Sequence, residues 1–151
     1  MINLIIIDDE ERARNLLTHF ILNDMDDVNI VASVSNITDA YREIQEKKPN
    51  LILLDIQLAG GNGFDLLQMF DEIDFGIIFT TAYQEYAIRA IRFAAFDYLL
   101  KPIDSDALKE TTSVAETIWC ALQAPPPLPS AALRLPPSPA RGEGLESSPN
   151  V

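Results

Sequence analysis

One cysteine, Cys120, stands in a chain of 151 residues, so no internal disulfide can form and no cysteine cluster can hold a metal. That thiol count fits a reducing cytosol. Basic residues are also scarce: 11 Lys and Arg face 23 Asp and Glu, for a net charge of -12. A chain this acidic carries no nucleic-acid grip of its own, because phosphate backbones select basic patches. Its acids either coat a solvated surface or gather around a divalent cation. Long apolar runs are missing too. The first residues are apolar only as far as Ile7 and then meet Asp8-Asp9-Glu10-Glu11. That start reads as neither a signal peptide nor a membrane span. The sole histidine, His19, falls on the polar side of a helical pattern, which points to solvent and not to catalysis. No internal repeat is visible.

What is present is a patterned, apolar chain. Hydrophobic residues make up 48%, and the length allows one domain with a sizeable core. Asn3 to Ile7 is a compact run rich in isoleucine and reads as a buried strand. Ala13, Leu16, Leu17, Phe20 and Ile21 then repeat at i, i+3, i+4, i+7 and i+8, one apolar face of a helix. Val28 to Val34 reads as a half-buried edge strand. A second helix carries Ile37, Ala40, Tyr41 and Ile44 inward, is capped by Asn36 or Thr38, and ends near Lys47-Lys48, with Pro49 beyond. Leu51 to Leu54 is a strand buried on both faces. Phe64, Leu66, Leu67 and Phe70 mark a short third helix, and Ile77 to Thr80 a fourth strand. Tyr86, Ala87, Ala90, Ile91 and Ala94 form an alanine-rich fourth helical face. Tyr98 to Leu100 is a brief fifth strand. A fifth helix starts near Asp104-Ser105 and runs through Leu108, Thr111, Thr112, Ala115, Ile118, Trp119 and Leu122. Strands and helices in alternation imply right-handed βαβ units and a parallel sheet covered on both faces.

Asp55 organises this pattern. It ends the Leu51-Leu54 run, and a carboxylate at the tip of a buried strand is costly unless the tip opens into a polar site. In open parallel sheets such sites lie outside the carboxyl ends of the strands. The other strands deliver Asp8 and Asp9, Thr81, and Lys101 to the same edge. Crowded carboxylates repel each other, and a hard cation with oxygen ligands, Mg²⁺ above all, relieves this. A lysine and a hydroxyl opposite them suit a phosphoryl group.

The residues Ile7-Asp8-Asp9-Glu10, Leu54-Asp55-Ile56, Gly63, Thr80-Thr81-Ala82-Tyr83 and Asp97 to Pro102 resemble the receiver domain of bacterial two-component response regulators. Phe79 to Ile103 looks most like receivers of the LytR/AlgR type, which usually precede a LytTR DNA-binding domain. The resemblance covers residues 1–122. It implies a flavodoxin-like (βα)5 fold with a five-stranded parallel sheet of order 2-1-3-4-5. It also implies that Asp55 accepts a phosphoryl group from a sensor histidine kinase. Mg²⁺ would be bound by Asp9, Asp55 and the backbone carbonyl of Gln57, with Asp8 acting through a metal-bound water. Lys101 would pair with Asp55 and then with the phosphoryl group. Thr81 would move to a phosphoryl oxygen, and Tyr98 would swing as Thr81 moves. The Lys101-Pro102 bond would be cis. The implied output is a homodimer through the face of the fourth helix, fifth strand and fifth helix, in the cytoplasm, with no membrane contact. Chemistry would be limited to self-phosphorylation and slow self-dephosphorylation, the latter helped by small Ala82.

Two departures stand out. Proline is common four residues after the phosphoacceptor; Ala59 stands there, followed by Gly60-Gly61, which predicts a looser loop. After Ala124 eight of the last 27 residues are proline, so 123–151 reads as a flexible tail where a LytTR domain of about a hundred residues would otherwise follow. One rival is an aspartyl-phosphate phosphatase of the haloacid-dehalogenase type. It would normally need an acid at the position of Gln57. The other is a docking pseudo-receiver, which the retained Asp8, Asp9, Asp55, Thr81 and Lys101 argue against.

Overall fold

Alternation of apolar runs with amphipathic segments does produce alternating strands and helices. In the computed structural model, which describes residues 1–123 with side chains through Ala115, the strands are β1 (Ile2–Ile7), β2 (Val28–Val34), β3 (Leu51–Leu54), β4 (Gly76–Thr81) and β5 (Asp97–Leu100). The helices are α1 (Glu11–Asp24), α2 (Ile37–Lys47), α3 (Gly63–Gln68), α4 (Ala87–Arg92) and α5 (Ser105–Gln123). These five strands are mutually parallel and lie in the order β2-β1-β3-β4-β5. This is the flavodoxin-like sheet that the sequence implies. Met1–Cys120 forms one compact unit. The predicted tail, 123–151, lies outside the described residues apart from Gln123, as do the side chains of Ile118, Trp119 and Leu122 on the predicted fifth helix. Among the described residues no helix is long and apolar enough to cross a membrane.

Strand alternation sorts the core into two layers. Ile5, Ile7, Ile52, Leu54, Ile77 and Phe79 point to the side covered by Ala40 and Ile44 of α2, Phe64 and Leu67 of α3, and Ala90 of α4. Leu4, Ile6, Leu51, Leu53 and Ile78 point to the side covered by Leu17 and Ile21 of α1 and Leu108 and Ala115 of α5. The sheet interior is thus apolar on both faces, and polar side chains are pushed to the strand tips.

Local chemistry sets the ends of the helices. Asn36, not Thr38, caps α2: its side chain accepts from the Asp39 N–H at 2.8 Å. Lys48 closes the same helix in a left-handed conformation, φ 46°, with Pro49 next. Asn62 and Asp65 form a capping box at the start of α3. The loop after Asp55 departs from expectation. It is a two-stranded antiparallel ribbon pairing Gln57 with Asn62 and Leu58 with Gly61, and Ala59 bridges to Asn36. Gly60, at φ 90°, makes the reversal that lets the ribbon close without a proline.

Two predicted helical faces need correction. Leu16 is exposed, because α1 buries only Leu17 and Ile21 against the sheet. In α4 the helix stops at Arg92, Ala94 sits beyond it at φ 54°, and Ile91 is 75% exposed. Only Ala90 of this helix is buried, so a six-residue element seats one methyl group in the core.

Candidate functional site

The register of the sheet builds the site. Ile7 pairs with Leu54, and Leu54 with Phe79, so these residues form one row across three strands. Asp8 and Asp55 are the next residues along β1 and β3. Their backbones stay tied to the sheet: Asp55 N–H donates to Ile7 O at 2.9 Å and Asp8 N–H to Val34 O at 3.1 Å. Two carboxylates therefore emerge side by side because two neighbouring strands end in register.

Lys101 comes from the end of β5, its backbone N–H donating to Thr81 O at 2.8 Å. The Lys101-Pro102 peptide is cis. The Lys101 ammonium lies 2.8 Å from Asp8 Oδ2, 3.0 Å from Asp55 Oδ2 and 3.4 Å from Glu10 Oε1. Asp8 is fully buried and Asp55 is 5% exposed. Burial pushes the Asp55 carboxyl up to about 6, with the Asp8 charge adding to it; the hydrogen bond and charge of Lys101 and the Gln57 N–H work against the rise. For Lys101 burial acts to lower the pKa, but the bonds and charges of Asp8 and Asp55 outweigh it and raise it. The ammonium is thus locked in its charged form.

Asp9 joins the pair from the exposed side. Oxygen atoms of Asp8, Asp9 and Asp55 lie within 4.8 Å of one another. Carboxylate oxygens gathered this closely fit a hard divalent cation. A cleft of about 250 Å³ opens here, lined by Asp9, Glu10, Asp55, Gln57, Ala82, Tyr83 and Lys101. Asp8 contributes from beneath: Oδ1 accepts from the Glu10 N–H at 2.9 Å and Oδ2 faces Lys101.

Thr81 is placed differently. It is fully buried and does not line the cleft. Its hydroxyl accepts from the Tyr83 N–H at 3.3 Å, and the Tyr98 hydroxyl donates to the Tyr83 carbonyl. One residue, Tyr83, therefore ties Thr81 to Tyr98 through its two peptide groups. Tyr98 is half-buried against Phe79, and burial pushes its phenol pKa up. Gln57 lines the cleft and donates its N–H to Asp55 Oδ1 at 3.2 Å.

Sequence reasoning missed Glu10 as a site residue: it appears there only as a member of the Ile7-Asp8-Asp9-Glu10 run, with no part assigned to it. Its carboxylate instead reaches Lys101. The signal was available, since a third acid directly follows Asp8-Asp9. Tyr83 was also missed, because its contribution is made by backbone atoms, which no side-chain pattern reveals.

Comparison with known proteins agrees with this geometry. Residues 4–113 match the family described as response regulator receiver domain. An uncharacterised response regulatory protein of Yersinia pestis is 45% identical over 112 residues, which is 74% of this chain and 47% of that protein. The sensory transduction protein LytT of Bacillus subtilis is 35% identical over 113 residues, 74% of this chain and 46% of that one. The chain thus spans about half the length of the curated relatives it matches. Among solved structures, the response regulatory domain of mrkE from Klebsiella pneumoniae superposes with a TM-score of 0.72 at 30% identity, covering 79% of this chain and 98% of that one. With the matched stretch running from within β1 to midway along α5 and taking in every strand tip that carries an acid, the chain belongs to the response regulator receiver domain family.

Proposed function

We propose that this receiver takes a phosphoryl group from a phosphohistidine of a sensor histidine kinase onto Asp55. The observation that carries the reading is the meeting of Asp8, Asp9, Asp55 and Lys101 at one rim of the sheet. An Asp55 carboxylate oxygen attacks phosphorus, the P–N bond to the imidazole breaks, and the leaving nitrogen ends protonated. The product is an acyl phosphate on Asp55. Catalysis of this kind is mainly positioning and charge stabilisation. Mg²⁺ would be held by Asp9, Asp55 and the Gln57 carbonyl, with buried Asp8 acting through a bound water. When present it offsets charge on the phosphoryl oxygens. Lys101 stays charged and follows the new anion. Ala82, small and on the cleft wall, leaves water a path, so slow self-dephosphorylation is expected. No substrate is turned over beyond this.

Signalling follows from charge. The phosphoryl group adds about two negative charges beside Lys101. Thr81 then leaves the Tyr83 N–H for a phosphoryl oxygen, and Tyr98, bonded to the same residue, is released to move inward. That biases a pre-existing equilibrium of α4, β5 and α5. Exposed Ile88 and Ile91 of α4, Leu100 of β5 and Val114 of α5 support homodimerisation through this face. The relatives' length and the transcriptional name of the Escherichia coli protein BtsR support an output on transcription in the whole protein. A net charge of -12 supports leaving DNA contact to another domain. A cytoplasmic location fits such a partner.

The test is incubation with Mg²⁺ and a small phosphodonor such as acetyl phosphate. One acid-stable, base-labile phosphoryl per chain, absent in Asp55→Asn, supports the reading. No label, or label elsewhere, overturns it.

A further inference from the structure

We propose that Arg14 is a positioning residue for the acidic loop and sets its affinity for a divalent cation; this rests on the reading of Asp9 and Asp55 as cation ligands. Arg14 stands one turn into α1, half-buried, and its Nη1 donates to the backbone carbonyl of Asp8 at 2.7 Å. That is the short distance of a charge-assisted hydrogen bond. The bond goes to the peptide group that joins Asp8 to Asp9, where β1 ends. The helix beginning at Glu11 has no side-chain cap, since Glu10 caps nothing with its own carboxylate. What shapes the turn is therefore the Asp8 Oδ1 bond to the Glu10 N–H at 2.9 Å on one side and the Arg14 bond on the other. The Arg14 backbone is itself anchored, donating to Glu10 O at 3.1 Å, and its carbonyl accepts from the Thr18 hydroxyl at 2.8 Å. The guanidinium thus spans a rigid first turn of α1 and the last peptide of β1, and between them lie Asp9 and Glu10, which line the cleft. Fixing that short segment fixes where the Asp9 carboxylate stands relative to Asp55.

A nearby charge and a brace predict opposite signs. As a mere cation near three acids, Arg14 would compete with a metal, and its removal would tighten binding. As a brace, its removal lets Asp9 wander and weakens binding, about tenfold by the usual effect of losing a group that orients a metal ligand. Lys at this position keeps the charge and a donor but not the planar fork, so it restores part of the effect.

The experiment compares wild type, Arg14→Ala and Arg14→Lys by two readouts. Calorimetric titration with MgCl₂ should give a Kd about tenfold weaker in Arg14→Ala and intermediate in Arg14→Lys. In Mg²⁺-free protein, NMR should show faster amide exchange at Glu10 in Arg14→Ala, while Ile52 and Leu53 amides in β3 are unchanged. An unchanged or tighter Kd overturns the proposal, as does unchanged exchange at Glu10. If wild type binds no Mg²⁺ at all, the functional reading fails, and the Glu10 exchange still decides whether Arg14 braces the loop. Should Arg14→Ala not fold, the same two readouts on Arg14→Lys decide it.

Discussion

A Cβ at Gly63 would lie 2.8 Å from the carbonyl oxygen of Asp55. The glycine is therefore required by the close approach of α3 to the tip of β3, and its N–H donates to Ile56 O in the same turn. Leu54, whose side chain would lie 3.1 Å from that Cβ, closes the other side. Both obstacles belong to the core strand that carries Asp55. Gly63→Ala should destabilise the fold by about 1–3 kcal/mol through overpacking. Urea unfolding measures this loss, and labelling by acetyl phosphate should slow in the folded fraction because the Asp55 backbone has shifted.

Asp55 itself is held against the stability of the fold. Its carboxyl titrates at about 6 in the native state, against 3.8 when unperturbed, because burial disfavours the anion. Between those two pH values the native protein holds a proton that the unfolded chain has released. Stability from this group therefore rises as pH falls through 6 and is complete below 3.8. At pH 7.5 that contribution is absent. Asp55→Asn, neutral at every pH, should then be more stable than wild type by about 1–2 kcal/mol after allowance for solvent screening. The advantage should shrink towards pH 4. Urea midpoints at the two pH values check it, and an advantage that grew on acidification would contradict the burial argument.

Much of this was legible in the sequence for a simple reason. Parallel strands buried on both faces appear as uninterrupted apolar runs, so Ile5 to Ile7, Leu51 to Leu54 and Ile77 to Phe79 declared themselves, and the polar residues after them had nowhere to go but the rim. Asp8, Asp9, Asp55 and Lys101 were found that way. What failed was whatever depends on how much of a helix the sheet can cover. Leu16 matched the helical period of Leu17 and Ile21 and is nonetheless exposed, and Ile91 shared a face with Ala90 and is not buried beside it. Periodicity gives the direction of a side chain; it does not say where the neighbouring layer ends. Contacts to peptide groups, such as Arg14 to Asp8 O and Tyr98 to Tyr83 O, leave no trace in side-chain patterns at all.

Lys101 is the resting counter-ion of two buried acids, at 2.8 Å from Asp8 and 3.0 Å from Asp55. Removing one partner of a buried pair leaves uncompensated charge, so Lys101→Ala should cost about 2–4 kcal/mol in metal-free buffer. A cation that binds only the native state returns about 1.4 kcal/mol when present at ten times its Kd. Without the competing ammonium the acids should hold Mg²⁺ more tightly. The rise in Tm on adding MgCl₂ should therefore be larger in Lys101→Ala than in wild type, and chelation should remove it. In Asp9→Asn the rise should be nearly lost. Melting curves with and without chelator check all three.

Ile88 and Ile91 are 72% and 75% exposed and lie on α4, which buries only Ala90. Apolar side chains this open contribute little to the monomer, so Ile88→Glu and Ile91→Glu should alter stability by less than about 0.5 kcal/mol. If α4 presents them to a second copy, each change places a desolvated charge at the contact. Sedimentation of the phosphorylated protein should then show a dimer for wild type and a monomer for the double variant. Acetyl phosphate should label both equally, because neither residue lines the cleft around Asp55. A wild type that stays monomeric when fully labelled would remove this face from the signalling reading and leave Asp55 chemistry untouched.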